Sequence, residues 1–180
     1  MPNNPSVNVF AYGSNLHLNR MRNRAPSAEV ADVGYVAGRK IDFRKRSVDG
    51  SAKADAKFTG NHTDRLWGVV YRLSPQDKRE LDKYEFLGIG YDELLVDVWT
   101  ISKQKLSALV YVARNEAIDE SLEPFSWYVD FVREGATQHR LPFCYINQEL
   151  FISSVADPDP NRQQLNLQIL AALDDQPIND

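Results

Sequence analysis

The pattern of apolar and polar positions predicts β-strands over much of the first two thirds of the chain. Four stretches are rich in apolar, β-branched and aromatic residues, as is typical of buried strands: 7–12, 66–71, 91–101 and 106–113. Two shorter strands are expected within residues 30–46, on either side of Ala37-Gly38. Residues 103–105 are expected to form the turn that joins the last two strands as a hairpin.

A helix between two of these strands has the clearest start signal in the sequence. Ser74 suits the N-cap, Pro75 suits the first helical position, and Asp77 supplies an acidic residue to the first turn. The helix is expected to end near Glu85, because the glycines of segment 86–90 suit a C-terminal turn.

Helices dominate the rest of the chain. Pro124 is expected to open a longer helix with one apolar face, which Gly135 ends or bends. Residues 146–155 are expected to form another short helix. After a polar break at 156–160, a last helix is expected over about 162–173.

The order of the elements favours an α+β fold with a mixed, mostly antiparallel, curved or barrel-like sheet and flanking helices, rather than a doubly wound parallel fold. Residues 47–64 carry glycines and many small or polar residues, which favours a long loop or an irregular edge hairpin. We expect a single domain over residues 1–155. Residues 156–180 would add a Pro- and Asp-rich linker and a helix that packs on the same domain or on a partner.

Composition narrows the classes of function without selecting one. The chain has 180 residues, of which 43% are hydrophobic and 26% charged, as in an ordinary soluble globular domain. Its net charge of -4 gives no general attraction to nucleic acid or to anionic membranes. Basic residues nevertheless outnumber acidic ones between positions 20 and 46, which forms either a solvated face or a surface that steers an anionic ligand.

Cysteine usage and hydropathy indicate the compartment. Cys144 is the only cysteine, so no intrachain disulfide can form, and its apolar neighbours are typical of an inert core thiol. No signal peptide opens the chain, and no apolar run approaches the length of a membrane span. The cytoplasm is therefore the expected location.

Most recognisable catalytic patterns are missing from the sequence. The histidines His17, His62 and His139 lie far apart along the chain, and no metal-ligand spacing, phosphate loop, dinucleotide fingerprint or nucleophile elbow occurs. We therefore expect no metal, no cofactor and no protein nucleophile.

The sequence from Phe10 to Leu16 reads as the end of a buried strand, a tight turn and the start of a helix. Gly13, Ser14 and Asn15 tolerate such turns, and Ser14 or Asn15 is available as N-cap. A turn of this kind aims several backbone N–H groups at one point, where an anion can bind. The same spacing is also met in ordinary strand-to-helix turns.

Glu85 is the carboxylate best placed for acid–base chemistry. It lies at the predicted end of the helix that Ser74 starts, and apolar residues follow it. Partial burial and the negative end of the helix dipole would both favour its protonated form, which suits general-base work near neutral pH. The alternative is a surface glutamate at a frayed helix end.

Together these two segments resemble the γ-glutamylcyclotransferases. The loop Phe10-Ala11-Tyr12-Gly13-Ser14-Asn15-Leu16 is similar to the family's signature loop. The segment Leu81-Asp82-Lys83-Tyr84-Glu85 matches the Leu-Asp-x-x-Glu pattern that carries the family's catalytic glutamate. The likeness extends to the strand at 66–71, to Tyr128 with the Gly135-Ala136 and Leu141-Pro142 pairs, and to the tail at 158–173.

The resemblance implies an enzyme that converts a γ-glutamyl compound into 5-oxoproline and releases an amino acid or amine. The substrate's own α-amine attacks its γ-carbonyl, so no protein nucleophile is needed. Glu85 would act as general acid and base. The residues implied to bind the substrate are Tyr12, Gly13, Ser14, Asn15, Leu16, Tyr91 and Tyr128. Two of them have purely structural alternatives: Asn15 as a helix cap and Tyr128 as a core residue, neither of them in contact with the substrate.

Several readings of the substrate and of the class of function stay open. Segment 86–90 is more apolar than in the best-known vertebrate type and is one residue shorter before Tyr91. This segment is expected to border the pocket for the leaving group, so the difference affects which amino acid or amine is preferred. γ-Glutamyl dipeptides lead, with γ-glutamylamines, glutathione or a γ-glutamyl biosynthetic intermediate as alternatives. A non-catalytic binding domain on the same fold and a nucleic-acid binder with salt-sensitive affinity are the readings from other classes. The resemblance implies no cofactor and makes a homodimer plausible.

Overall fold

In the computed structural model, which describes residues 5–172, five strands close into a barrel and two more form a separate hairpin. In chain order the strands of this region are β1 (Val7–Ala11), β2 (Glu29–Ala37), β3 (Arg39–Arg46), β4 (Ala52–Phe58), β5 (Arg65–Leu73), β6 (Tyr91–Thr100) and β7 (Lys105–Ala113). The barrel runs β1-β5-β2-β6-β7, and β1 and β7 close it through a parallel pairing. The predicted α+β fold with a mixed, barrel-like sheet is confirmed.

Glycines let the barrel strands approach closely. A Cβ atom on Gly68 of β5 would lie 2.2 Å from the carbonyl oxygen of Ala11, and one on Gly34 of β2 would lie 2.5 Å from that of Trp99. Strand β1, between β5 and β7, is correspondingly buried, with Val9 only 1% exposed. Buried β1 therefore delivers the turn that follows it to a fixed position.

Segment 47–64 contains the turn and the second strand of an antiparallel hairpin, so of the two predicted alternatives the structure shows the hairpin, and the long loop is wrong. Strand β4 pairs with β3 along its whole length, and Gly38, at φ +74°, turns the chain from β2 into β3. The small residues that suggested a loop are needed for close packing, since three of them are nearly inaccessible: Ala52, Ala54 and Ala56. Asp55 ties the hairpin to the barrel by accepting a hydrogen bond from the backbone N–H of Ala113 at 2.9 Å.

The predicted start and end of the helix before Glu85 are confirmed. The helices of the described region are α1 (Leu18–Arg24), α2 (Pro75–Tyr84), α3 (Ser126–Gln138), α4 (Phe143–Glu149) and α5 (Pro160–Ala171). Ser74 caps α2 by accepting from the N–H of Asp77 at 3.1 Å, and Glu85 is its C-cap. The left-handed residue that follows is Phe86, at φ 52°, where the sequence suggested a glycine.

Two helices of the C-terminal third differ from expectation. Gly135 lies inside α3 and does not end it. A glycine is needed there because α3 lies close to the turn after β1: a Cβ on residue 135 would be 2.4 Å from the backbone nitrogen of His17. Helix α4 begins at Phe143 and ends before the predicted range of 146–155 does. Cys144 is exposed on α4, so its interpretation as a core thiol is wrong.

Helix α5 packs on α1 and α3 of the same chain. Asp159 caps it by accepting from the N–H groups of Asn161 and Arg162. The nearby Asp157 is buried, and hydrogen bonding from Arg162 at 2.6 Å lowers the pKa of its carboxyl to about 2. Leu173, which the sequence placed in this helix, lies outside the described residues. Between positions 5 and 172, no helix combines the length and the apolar character that crossing a bilayer requires.

Candidate active site

The turn after β1 presents backbone N–H groups that the protein itself does not use. Gly13, Ser14 and Asn15 lead into a single 3-10 turn, in which the N–H of Leu16 donates to the carbonyl of Gly13 at 2.9 Å. Within residues 5–172, the N–H groups of Gly13, Ser14 and Asn15 have no acceptor. Helix α1 starts only after His17, its N-cap, so the prediction that Ser14 or Asn15 caps it is wrong.

Three polar side chains form a compact cluster around the end of α2. The side-chain amide of Asn15 donates to Glu85 Oε1 at 2.9 Å. The guanidinium of Arg24 donates to the same carboxylate oxygen at 2.9 Å and to Asn15 Oδ1 at 2.8 Å. The Glu85 side chain is 14% exposed. Arg24 thus places a positive charge directly against the carboxylate, a contact that reasoning from burial and the helix dipole alone did not include.

Tyrosine hydroxyls line the space next to this cluster. The N–H of Ala54 donates to the Tyr128 hydroxyl at 3.0 Å, and the Tyr91 hydroxyl donates to the carbonyl of Ala54 at 2.7 Å. The Tyr12 hydroxyl donates to the carbonyl of Tyr111 at 2.7 Å. Burial raises the pKa of Tyr12, Tyr91 and Tyr128, so these hydroxyls keep their protons.

The hydroxyls of Tyr128 and Tyr91 differ in the hydrogen bonds that they can still form with a ligand. The proton of Tyr128 has no acceptor among residues 5–172, whereas that of Tyr91 is already donated. Tyr128 can therefore donate a further hydrogen bond, and Tyr91 can accept one. Gly13 is needed beside them, because a Cβ there would lie 3.1 Å from the Tyr128 hydroxyl oxygen.

The cluster and the tyrosines enclose a chamber that opens into a larger vestibule. The chamber has a volume of about 40 Å³ and is lined mainly by β1, the turn and aromatic side chains. The vestibule, of about 240 Å³, is lined by the β3–β4 turn, α1 and the end of α2. Four residues line both spaces: Ser14, Glu85, Tyr91 and Tyr128. A ligand could thus place its reacting part in the chamber and the remainder in the vestibule.

The structure brings almost all the predicted site residues to the chamber wall. They are Tyr12, Gly13, Ser14, Asn15, Glu85, Tyr91 and Tyr128. Leu16 lies elsewhere: it is fully buried behind the turn, where its carbonyl accepts from the Tyr71 hydroxyl at 2.9 Å. Sequence reasoning missed Ala54 and Tyr111, which come from strands with no chemical signature, and Arg24, whose only signal was its membership of the basic stretch.

Arg20 connects the turn to the C-terminal helix. Its guanidinium donates to Ser14 Oγ at 3.0 Å and to Asn166 Oδ1, on α5, at 2.8 Å. It also lies 4.5 Å above the ring centroid of Phe131. Both partners of its N–H groups are neutral, so the positive charge of Arg20 is held next to the vestibule without being neutralised.

The chemistry available here is that of a carboxylate, hydroxyls and backbone N–H groups. Among residues 5–172, no group of three or more His, Cys, Asp or Glu side chains is arranged to hold a metal ion. Glu85 can take and return a proton, and the turn can bind an oxygen that carries negative charge. Such an arrangement suits a reaction in which the substrate supplies its own nucleophile.

Comparison with known proteins connects this geometry to a family. The model of the AIG2-like family matches residues 65–148, from the start of β5 to α4. A solved structure titled gamma-glutamyl cyclotransferase superposes with a TM-score of 0.78 at 25% identity, covering 91% of this chain and 99% of that one.

Two curated relatives are similar over most of the chain. Human gamma-glutamylcyclotransferase is 30% identical over 148 residues, which are 80% of this chain and 77% of the human protein. The bovine gamma-glutamylcyclotransferase is 30% identical over 140 residues, covering 76% of this chain and 73% of the relative. Together with the shared fold, this similarity shows that the chain belongs to the γ-glutamylcyclotransferase family.

Proposed function

We propose that this protein is a γ-glutamylcyclotransferase and that Glu85 is its general acid and base. The observation that carries the proposal is the hydrogen bond between Asn15 and Glu85, at 2.9 Å, at the wall of the chamber. It joins the turn that can hold a substrate oxygen to the carboxylate that can move a proton. The substrates are γ-glutamyl amino acids or amines.

Binding would fold the flexible glutamyl group for ring closure. The free N–H groups of Gly13, Ser14 and Asn15 hold either the substrate's α-carboxylate or the γ-carbonyl oxygen that gains charge. The Tyr128 hydroxyl donates a further hydrogen bond, and Tyr91 accepts one from the substrate's amine. Holding the amine against the carbonyl in this way supplies several kcal/mol of the barrier lowering.

The reaction proceeds by proton transfers through Glu85. The ionised carboxylate takes a proton from the substrate's α-ammonium group, and the free amine attacks the γ-carbonyl carbon to form a five-membered ring. The former amide C–N bond then breaks as Glu85 gives this proton to the leaving nitrogen. The ionised carboxylate next takes the second proton from the ring nitrogen and passes it to the released amine, which leaves as an ammonium group. The products are 5-oxoproline and a free amino acid or amine, and Glu85 is ionised again.

We further propose the setting in which this reaction occurs. The enzyme acts in the cytoplasm, within the metabolism of glutathione-derived γ-glutamyl compounds, without a metal, a cofactor, nucleic acid or a membrane. The net charge of -4 and the single cysteine support this setting. We propose a homodimer by analogy with the family, and sedimentation of the purified chain measures it.

Release of 5-oxoproline tests the activity directly. The purified protein is incubated with γ-glutamyl dipeptides, γ-glutamylamines and glutathione, and 5-oxoproline is quantified by mass spectrometry. We expect product from at least one γ-glutamyl amino acid or amine. An absence of product across the panel would contradict the proposal.

Glu85→Gln tests the mechanism separately from the reaction. Because glutamine cannot accept the proton, we expect the turnover number to fall about 10²- to 10⁴-fold with the fold retained. Glu80→Gln is the matched control, since Glu80 lies on the same helix and its ion-pair partner is the exposed Lys83. If Glu85→Gln keeps full turnover, the assignment of Glu85 is wrong even if the reaction is right.

A further inference from the structure

Lys45 places a buried ammonium group in the vestibule wall, and no side chain among residues 5–172 pairs with it directly, although Glu85 and Asp49 lie in the same wall. The Lys45 side chain is on β3, and the residue is only 6% exposed. Within residues 5–172, its Nζ makes no hydrogen bond or ion pair, and it lies over the face of the Tyr91 ring, 4.9 Å from the centroid. Gly90 makes room for it, because a Cβ there would lie 2.8 Å from Nζ.

The other cations around the vestibule are already bound to partners in the protein. Arg24 pairs with Glu85 at 2.9 Å, and Lys53 pairs with Asp49 at 2.8 Å. Arg20 donates to Ser14 and to α5. The wall carries four positive charges and the two negative charges of Asp49 and Glu85, so it has an excess of two positive charges.

This excess favours an anionic ligand, and Lys45 is the group free to contact one. Burial lowers the pKa of Lys45, since removal from water disfavours the charged ammonium group. A carboxylate placed next to it would restore the lost stabilisation. Tyr91 and Glu85 line both the chamber and the vestibule, so a group leaving the chamber passes directly into the space that Lys45 faces.

We propose that Lys45 is a specificity-determining residue, which binds the carboxylate of an amino-acid leaving group and so selects γ-glutamyl amino acids over γ-glutamylamines. The inference rests on the proposed function, because it assigns the leaving group of that reaction to the vestibule. A γ-glutamyl amino acid carries a second carboxylate, on its leaving group, in addition to the α-carboxylate and α-ammonium that it shares with a γ-glutamylamine. A γ-glutamylamine lacks the second carboxylate and leaves Lys45 unpaired.

Two substrates that differ by one carboxylate test this assignment. The leaving groups of γ-glutamyl-L-alanine and γ-glutamylethylamine are identical except for the alanine carboxylate, and kcat/KM is measured for each compound. We expect the wild-type enzyme to prefer the alanine compound. In Lys45→Met, which removes the charge and keeps the volume, kcat/KM for the alanine compound should fall about 10- to 100-fold, while that for the ethylamine compound changes less than about twofold.

Further variants separate charge from structure. Lys45→Arg should retain the preference for the alanine compound, because it keeps a positive charge at this position. Lys57→Met is the control, since Lys57 lies on β4 of the same hairpin and its ion-pair partner Asp42 is outside the vestibule. Thermal unfolding of each variant confirms that it is folded.

The outcomes distinguish this inference from the proposed function. If wild-type enzyme cleaves both compounds and Lys45→Met lowers both values equally, or neither, the role of Lys45 is refuted and the cyclotransferase activity stands. If wild-type enzyme cleaves neither compound nor any other member of the γ-glutamyl panel, the proposed function fails and the assignment of Lys45 fails with it.

Discussion

Lys53 is the vestibule cation whose charge depends most on pH in the physiological range. Burial lowers its pKa to about 8, even though its ion pair with Asp49 at 2.8 Å acts in the opposite direction. Arg20 and Lys45 also face it and lower the pKa further. Three aromatic rings surround its ammonium group, the nearest being that of Trp127 at 4.7 Å.

The protonation of Lys53 predicts a pH dependence for substrate binding. Below pH 8 the side chain is charged in both the folded and the unfolded chain. Between about pH 8 and the ordinary lysine pKa of 10.5, Lys53 is neutral only in the folded chain. Its contribution to folding stability therefore rises with pH over this range, and the vestibule loses one positive charge. We expect KM for γ-glutamyl-L-alanine to rise about two- to fivefold above pH 8, relative to KM for γ-glutamylethylamine.

Two comparisons control this prediction. Because the two substrates share the same α-amine, the ratio of their KM values removes the titration of that amine. In Lys53→Met the ratio should stay constant with pH. A ratio that changes equally in the variant and in the wild-type enzyme would assign the effect to another group.

At the level of single residues, the sequence identified which side chains are chemically capable better than it identified the environment of each side chain in the fold. The positions of Glu85 at the end of α2 and of a tight turn after β1 could be predicted because helix-start signals and turn-forming residues act locally, whereas their proposed roles came from the resemblance to the family. Lys45 and Arg24 could not be assigned, because a basic residue on a strand or helix has the same local signature on a solvated face as in a buried wall. Phe86 could not be foreseen either: its positive φ opposes the intrinsic preference of an aromatic residue, and it lies in a turn in which its carbonyl accepts from the N–H groups of Ile89 and Gly90.

Helix α3 contacts the turn after β1 at Gly135. The Cβ of any other residue would lie 2.4 Å from the nitrogen of His17 and 2.6 Å from the carbonyl carbon of Leu16. Both are backbone atoms, so the turn or the helix would have to move. The position of the helix therefore sets the position of the free N–H groups.

Gly135→Ala should displace this turn. We expect kcat/KM to fall about 10- to 100-fold, because small misplacements of positioning groups are costly. Unfolding free energy should fall by about 1–3 kcal/mol from overpacking, against the gain in helix propensity that alanine normally brings. Enzyme kinetics and chemical denaturation measure the two effects.

Thr137→Ala is the matched control on the same helix. Thr137 is exposed and its hydroxyl donates to the carbonyl of Arg133 within α3, so alanine there should leave activity unchanged. If Gly135→Ala behaves like the control, the close contact with the turn does not position it.

Elements were predictable where their signals are local. The Ser74-Pro75 start of α2 and the hairpin of β6 and β7 follow from sequence rules that involve neighbours only. Strand β4 was less clear, because its small residues indicate a loop until the barrel that they pack against is known. Gly135 was misread for the same reason, since a glycine required by a distant backbone resembles one that ends a helix.

Across the whole molecule, the site depends on both ends of the chain. Ser14 is fixed by Arg20, and Arg20 is fixed in turn by Asn166 on α5. Asn166 is itself 8% exposed, and its amide nitrogen donates to the carbonyl of Arg162. The last helix thus supports the turn after β1 through the side chains of Arg20 and Asn166.

Asn166→Ala should weaken this support. It leaves the buried guanidinium of Arg20 without one acceptor, which should cost about 1.5–3 kcal/mol of unfolding free energy. Because Arg20 also holds Ser14, we expect KM to rise while the barrel stays folded. Thermal unfolding and steady-state kinetics measure these changes.

Gln164→Ala provides the comparison for this variant, since Gln164 is exposed on the same helix. An Asn166→Ala enzyme with unchanged KM and stability would show that α5 is not needed at the site. This connection could not be predicted from sequence, because Arg20 and Asn166 are separated by most of the chain and neither belongs to a recognisable pattern. The fold class was predictable from the order of elements, whereas such long-range pairs depend on the assembled structure.

The support of the N-terminal turn by α5 has a consequence for synthesis on the ribosome. The turn is made before the strand that closes the barrel against β1 and long before the helix that holds Arg20. Contacts between such distant segments form slowly and only once both are available. We therefore expect a ribosome-stalled chain that ends at residue 155 to be inactive, and activity to arise only after α5 has been made and has left the ribosome.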